Sequence, residues 1–277
     1  MSNEIETLVE ETQKKEGISR RKVLGLGAAA AVGVVIAGCS FGGKTESTDS
    51  KATATPAAGE AAALPWKYQK LDVEAVRKAG FDNYEKGGCM YGAAAALLTE
   101  LAKTPDSPWK TIPMDMFLYG AGGVAGWGTL CGAINGATAV MSMGIGVNSN
   151  LIGDFMNWYQ TFPFPSTKHD EYAKFKNQVT TVANSPLCHA SVSQWCDEAK
   201  ATVSSDEKKD RCAKLTGDCA AYVAELMNNK LADKPDPKVT YAAEYASCMS
   251  CHNGKNSTLD NEQGKMNCIS CHDDHTK

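Results

Sequence analysis

Ala93-Ala94-Ala95-Ala96-Leu97-Leu98-Thr99-Glu100-Leu101, opening just beyond Gly87-Gly88, is a run of strong helix formers, and its reading sets the class of the fold. Upstream, residues 73–79 carry a shorter, charged helical period. Downstream, amphipathic runs cover residues 170–182, 191–202 and 216–231, all expected to be helical. Phe162-Pro163-Phe164-Pro165 and Lys234-Pro235-Asp236-Pro237 are breakers between them. No stretch sustains a period of two. The expectation is a mainly α protein: a single helical, Cys-rich cofactor-binding domain over residues 65–235, with a short irregular C-terminal segment over 236–277.

Between Phe117 and Gly153 there is not one charged residue, which raises the question of a transmembrane helix. Gly120, Gly122, Gly123, Gly126, Gly128, Gly132 and Gly136, together with Asn135, Asn148 and Asn150, fit closely packed helices and turns better than a lipid-facing span. The spacing is not a dinucleotide fingerprint. Two uses of this stretch stay open: helix packing at a dimer seam, and wrapping of a cofactor.

The chain of 277 residues has a net charge of −4, so it offers no basic field for nucleic acid. Its N-terminus reads as an address. Ser19-Arg20-Arg21-Lys22-Val23-Leu24 precedes an uncharged stretch too short to span a bilayer comfortably, the pattern of a twin-arginine export signal. Ile36-Ala37-Gly38-Cys39 reads as a lipobox, with Cys39 as the lipid-bearing first mature residue. Residues 1–38 are then a signal peptide and 39–64 a flexible linker. The expected location is periplasmic or extracytoplasmic, touching the membrane only through a lipid anchor. A route for folded cargo also points to a cofactor inserted before export.

Eleven cysteines are too many for an ordinary cytosolic protein. Four lie in Cys248-Met249-Ser250-Cys251-His252 and Cys268-Ile269-Ser270-Cys271-His272. C-x-x-C-H attaches a c-type haem: two thiols bond the porphyrin while the adjacent His reaches its iron. Two haem c groups are expected, with His252 and His272 as proximal ligands. A zinc site would not need His at the same place in both copies. The short polar peptide between the motifs keeps the two haems close. If they only transfer electrons, each iron takes a sixth ligand, and His189, His169 and His275 are the candidates, with His189 first. Methionine is the alternative, from Met249 or Met266.

Beyond Cys39 and the haem thiols stand Cys89, Cys131, Cys188, Cys196, Cys212 and Cys219. Composition leaves two readings open, three disulfides or an iron-sulfur cluster held by four of them.

The order Gly88-Cys89-Met90-Tyr91-Gly92-Ala93, then Gly128-Thr129-Leu130-Cys131-Gly132-Ala133-Ile134-Asn135-Gly136, then Ser185-Pro186-Leu187-Cys188-His189 and Trp195-Cys196, then two C-x-x-C-H motifs, resembles the split-Soret cytochromes c of sulfate-reducing bacteria. The resemblance covers about residues 65–277. It implies a helical homodimer with two bis-histidine haems per chain, clustered with those of the partner. It further implies a body in which cysteines hold an iron-sulfur centre, here a [2Fe-2S] cluster. By that motif Cys89 and Cys131 are the first two ligands and Cys219 the last, with Cys196 favoured for the remaining place and Cys188 or Cys212 as alternates. The chain departs from the family's Gly-Cys-Ala order, having Cys131-Gly132-Ala133. The function expected is electron transfer with redox partner proteins, more a carrier than an enzyme. The competing reading is a small periplasmic oxidoreductase reducing a substrate at the Cys/Gly-rich centre, beside Trp127, Asn135 and Asn148.

Overall fold

The computed structural model describes residues 62–254 and 264–275. The twin arginines, Cys39 and most of the linker lie outside the described residues. The first element, α1 (Val73–Leu101), starts where the Asp72 side chain accepts hydrogen bonds from the N–H groups of Glu74 and Ala75. It is two helical halves joined at Gly87-Gly88, where Gly88 takes a φ of 77°. The halves fold back on each other: a Cβ on Gly92 would lie 3.1 Å from the Gly80 carbonyl oxygen. Only a residue without a side chain permits that approach.

Against α1 pack α2 (Gly132–Ile145) and the long α5 (Asp206–Leu231); α3 (Ser149–Thr161) packs on α2 and α5 instead, and α4 is the helix Cys188–Ala199. Ser205 caps α5, acidic Asp206 and Glu207 occupy its first turn, and Lys230 its last, so its charges oppose its dipole. On α3, Leu151, Phe155 and Tyr159 recur every four residues and form the buried face. The core runs through Leu97, Leu101, Ile134, Met141, Phe155, Leu215, Val223 and Met227, each at most 2% exposed. The fold is mainly α. Its one described sheet pairs β1 (Pro163–Phe164) antiparallel with β2 (Thr181–Val182).

The helix expected over 170–182 is absent; turns lead instead into β2. Its backbone is claimed by side chains: Lys174 N–H donates to Asp210, Asn177 N–H to Asp170, and the Lys214 ammonium bonds Asp170 and the Phe175 carbonyl. Such local bonds compete with a helical ladder. The run expected over 191–202 begins earlier, at Cys188, and the one over 216–231 begins at Asp206. Nor is the C-terminal segment wholly irregular. Its first C-x-x-C-H lies on the helix α6 (Ala243–His252), and its second begins in a 3-10 turn, Cys268–Ser270. No helix among the described residues is long and apolar enough to cross a membrane.

A buried polar seam ties α1 to α5. Asp218 accepts from Arg77 at 2.5 Å, from Ser166 N–H at 3.1 Å and Oγ at 2.7 Å, and contacts His169 Nε2 at 3.0 Å.

Candidate functional site: a buried thiol pocket and an exposed pair of C-x-x-C-H motifs

Cys89, Cys131 and Cys188 are each placed by a helix end or a glycine. Cys89 follows the Gly87-Gly88 joint of α1. Cys131 is the N-cap of α2 and Cys188 the first residue of α4. Their segments are stapled by an antiparallel bridge between Leu130 and Leu187, with Cys131 N–H donating to Pro186 and Cys188 N–H to Thr129. The glycines make this possible, since a Cβ on Gly132 would stand 2.5 Å from the Gly120 carbonyl and one on Gly136 would strike that of Met90. Cys212 comes from α5.

Cys89 is close enough to both Cys131 and Cys212 for its thiol to favour a thiolate at either. Cys188 is near enough to feel Cys131 and Cys212, as Cys219 is to feel Cys131 and Cys196 to feel Cys212. All six are buried. Hydrogen bonding from Cys89 draws Cys212 down to about 5 against the opposition of burial, with Arg211 and Lys208 adding to the effect. The same donor draws Cys131 down to about 7, while burial opposes it and Tyr159 assists. Burial pushes Cys219 up, and pushes Cys196 up as well. Cys219 stands two turns beyond Cys212 on α5, and Cys196 two turns beyond Cys188 on α4.

The surroundings ask for negative charge. Arg211 is 1% exposed, and its described hydrogen bonds go to Ser191 Oγ at 2.8 Å and Cys212 Sγ at 3.9 Å. Its Nε has no partner, nor has the buried Tyr159 hydroxyl an oxygen or nitrogen partner beside Cys131. A buried cation and idle donors are costly unless an anion faces them. A thiolate-held iron centre is such an anion, so the donor set fits one. Among the described residues no three His, Cys, Asp or Glu side chains close around a single metal-sized point. A two-iron centre differs in spreading four thiolates over two metals.

The C-terminal site is built differently. On α6, Cys248, Cys251 and His252 fall on one face by their i, i+3, i+4 spacing. Asn267 caps the turn that carries Cys268, and His272 N–H donates back to the Cys268 carbonyl. Both motifs line one cavity of about 490 Å³, which also takes in Ile269 and His275. Neither α6 nor the Cys268 turn has a buried residue. The segment is moored through Asp236 to Asn148 and Lys230, through Val239 against Gly153, and through Met266 Sδ, 3.6 Å from Ser185 Oγ.

The three candidate distal histidines fare differently. His169 is fully buried, and both ring nitrogens are engaged, by Asp218 and by Tyr172 at 3.0 Å each. In this arrangement it has no nitrogen for an iron. His189 is exposed on the first turn of α4, with Nδ1 3.4 Å from Ser193 Oγ. His275 stacks on His252 with ring centroids 5.8 Å apart. The polar groups that motivated a substrate pocket are not gathered. Trp127 is 83% exposed, Asn148 caps α3, and Asn135 reaches Tyr119.

Buried paired thiols on a helical frame, beside two C-x-x-C-H motifs sharing a cavity, define a redox protein of the cytochrome c class. The C_GCAxxG_C_C family of redox-active proteins matches residues 90–226. The split-Soret cytochrome c of Desulfovibrio desulfuricans is 31% identical over 268 residues, covering 92% of this chain and 94% of that protein. A solved structure of that cytochrome, described as holding a novel iron centre, superposes with a TM-score of 0.67 at 31% identity, covering 75% of this chain and 90% of the other. The chain belongs to the split-Soret cytochrome c family, and it is an electron-transfer redox protein.

Proposed function

We propose that the protein carries electrons between two covalent c-type haems and a thiolate-held iron centre within one chain. The observation that carries this is the pairing of two C-x-x-C-H motifs on one cavity with a separate cluster of buried thiols beside the buried Arg211, whose Nε lacks a partner. Cys248 and Cys251 hold the first haem and Cys268 and Cys271 the second, with His252 and His272 as proximal ligands. His275, stacked on His252, and the exposed His189 are the distal candidates that this arrangement favours.

For the iron centre this reading takes Cys89, Cys131 and Cys212, whose thiols act on one another most strongly, with Cys188 as the fourth. Cys196 and Cys219, expected from the motif order, stand two turns away on their helices. When bound, such a centre accepts and returns single electrons. The chain's own work is to exclude water, set the thiolates and supply Arg211 against their charge.

Export by the twin-arginine route, lipidation at Cys39 and a periplasmic location remain part of this reading, supported by residues 19–39. So does a homodimer, for which the exposed Met116, Leu118, Tyr119, Val124 and Trp127 offer an apolar surface. The test is iron per covalent haem in protein purified without oxygen. About two irons per haem supports a two-iron centre beside two haems. A ratio near one leaves a dihaem cytochrome without it.

A further inference from the structure

A second cleft, of about 700 Å³, opens between the first half of α1 and the start of α5, lined by Phe81, Tyr84, Gly88, Lys208, Asp210 and Ala213 among others. Two of these, Gly88 and Ala213, are the immediate neighbours of Cys89 and Cys212. The half-buried Tyr84 packs against the core cluster that contains Cys89, Cys131, Cys188 and Cys212. Its hydroxyl feels all four sulfurs, Cys212 most. Lys208, on the wall of the same cleft, bears on Cys212 and Cys188.

We propose that Tyr84 is the gate of the thiol pocket, its ring closing the pocket off from the cleft, and that this cleft is the route by which metal ions and small thiol-reactive molecules reach Cys212. The position suits a gate. The helix half that carries Tyr84 is pinned by Arg77 on Asp218 and by the close approach of Gly80 to Gly92, so opening needs only the Tyr84 side chain to rotate. Cys219 is 0% exposed against 4% for Cys212, and neither of its chain neighbours lines the cleft, whereas Ala213 beside Cys212 does.

The proposal rests on the thiol pocket being the second redox site, but its test does not need iron. The full haem-loaded chain is stripped of non-haem iron without oxygen and treated with iodoacetamide, whose carbon bonds the thiolate sulfur as iodide leaves. Alkylation is followed at each cysteine by peptide mass. Tyr84→Ala should alkylate Cys212 about tenfold faster than the unmodified protein, by shortening a local opening. Tyr84→Phe, which keeps the ring, should stay within about twofold. Cys219 reports loosening of the core as a whole, and its rate should not change. Equal Cys212 rates in Tyr84→Ala and the unmodified protein would overturn the gate, as would equal acceleration at Cys212 and Cys219. If Tyr84→Ala does not fold, Lys209→Trp on the cleft rim serves instead and should slow Cys212; no slowing would overturn the route. Iron content, measured separately, tests the centre itself, so either idea can fail while the other stands.

Discussion

Asp218→Asn removes the single anion of the seam between α1 and α5 while keeping its shape. Asp218 is 2% exposed and Arg77 5% exposed. The other carboxylate on Arg77, Glu74, lies at the surface with 66% of its side chain in solvent. The variant therefore leaves a buried guanidinium with only a solvated partner. It also puts an amide where one oxygen had accepted from Ser166. Breaking a buried pair from one side costs about 3–5 kcal/mol, which for a domain of this size lowers Tm by about 10 °C. The assay is helical circular dichroism against temperature on haem-loaded protein at neutral pH.

The pH dependence checks the cause. Burial alone would raise the Asp218 carboxyl, but hydrogen bonds from His169 and Ser166 outweigh it and hold it below its ordinary value of 3.8. A depressed carboxyl contributes stability that is fully present above its unfolded value and is lost as pH falls through the lower, folded one. The gap between the two proteins should thus be constant above about pH 5 and close only in stronger acid. A fall in Tm of less than about 2 °C at neutral pH, or a gap that closes near neutrality, would refute the reasoning.

Three further outcomes are expected. Gly136→Ala drives a methyl into the Met90 carbonyl between the segments that carry Cys89 and Cys131; it should destabilise by about 1–3 kcal/mol in denaturant melts and release non-haem iron. Cys212→Ala should abolish non-haem iron with haem content unchanged, while Cys196→Ala and Cys219→Ala keep it; iron loss confined to the latter two would restore the ligand set expected from motif order. His189→Ala should leave one haem five-coordinate and open to carbon monoxide while His169→Ala does not, a contrast read from reduced difference spectra.

Some of this architecture is legible in the amino acids. Ala93 to Leu101, the break at Gly87-Gly88 and the glycines around Cys131 all act locally, through propensity and the room a missing Cβ leaves. The C-x-x-C-H motifs are legible because their chemistry is local too. Residues 170–182 misled because their fate is decided by Asp210 and Lys214, two turns of a helix far along the chain. The choice among cysteines was hidden for a related reason. Cys212 and Cys219 are seven apart on α5, and Cys188 and Cys196 share α4, so spacing alone does not say which of each pair meets Cys89. The one local clue was Arg211, a cation beside a cysteine in a helix whose other face is core. His169 resembled any other histidine until Asp218 and Tyr172 closed on it.

The contrast between the sealed body and bare α6 bears on the order in which the molecule is made. A helix without a single buried side chain has no hydrophobic reason to hold its place. On the proposed function, porphyrin would supply the apolar surface that the polypeptide there does not. The body can therefore close over Cys89, Cys131, Cys188 and Cys212 first, putting those sulfurs beyond the reach of any enzyme that joins haem to thiols. Cys251 and Cys271 stay exposed at the far end of the chain. If both groups are held as proposed, burial would sort chemically identical sulfurs into two maturation pathways, with no need for the attachment machinery to tell them apart by sequence alone.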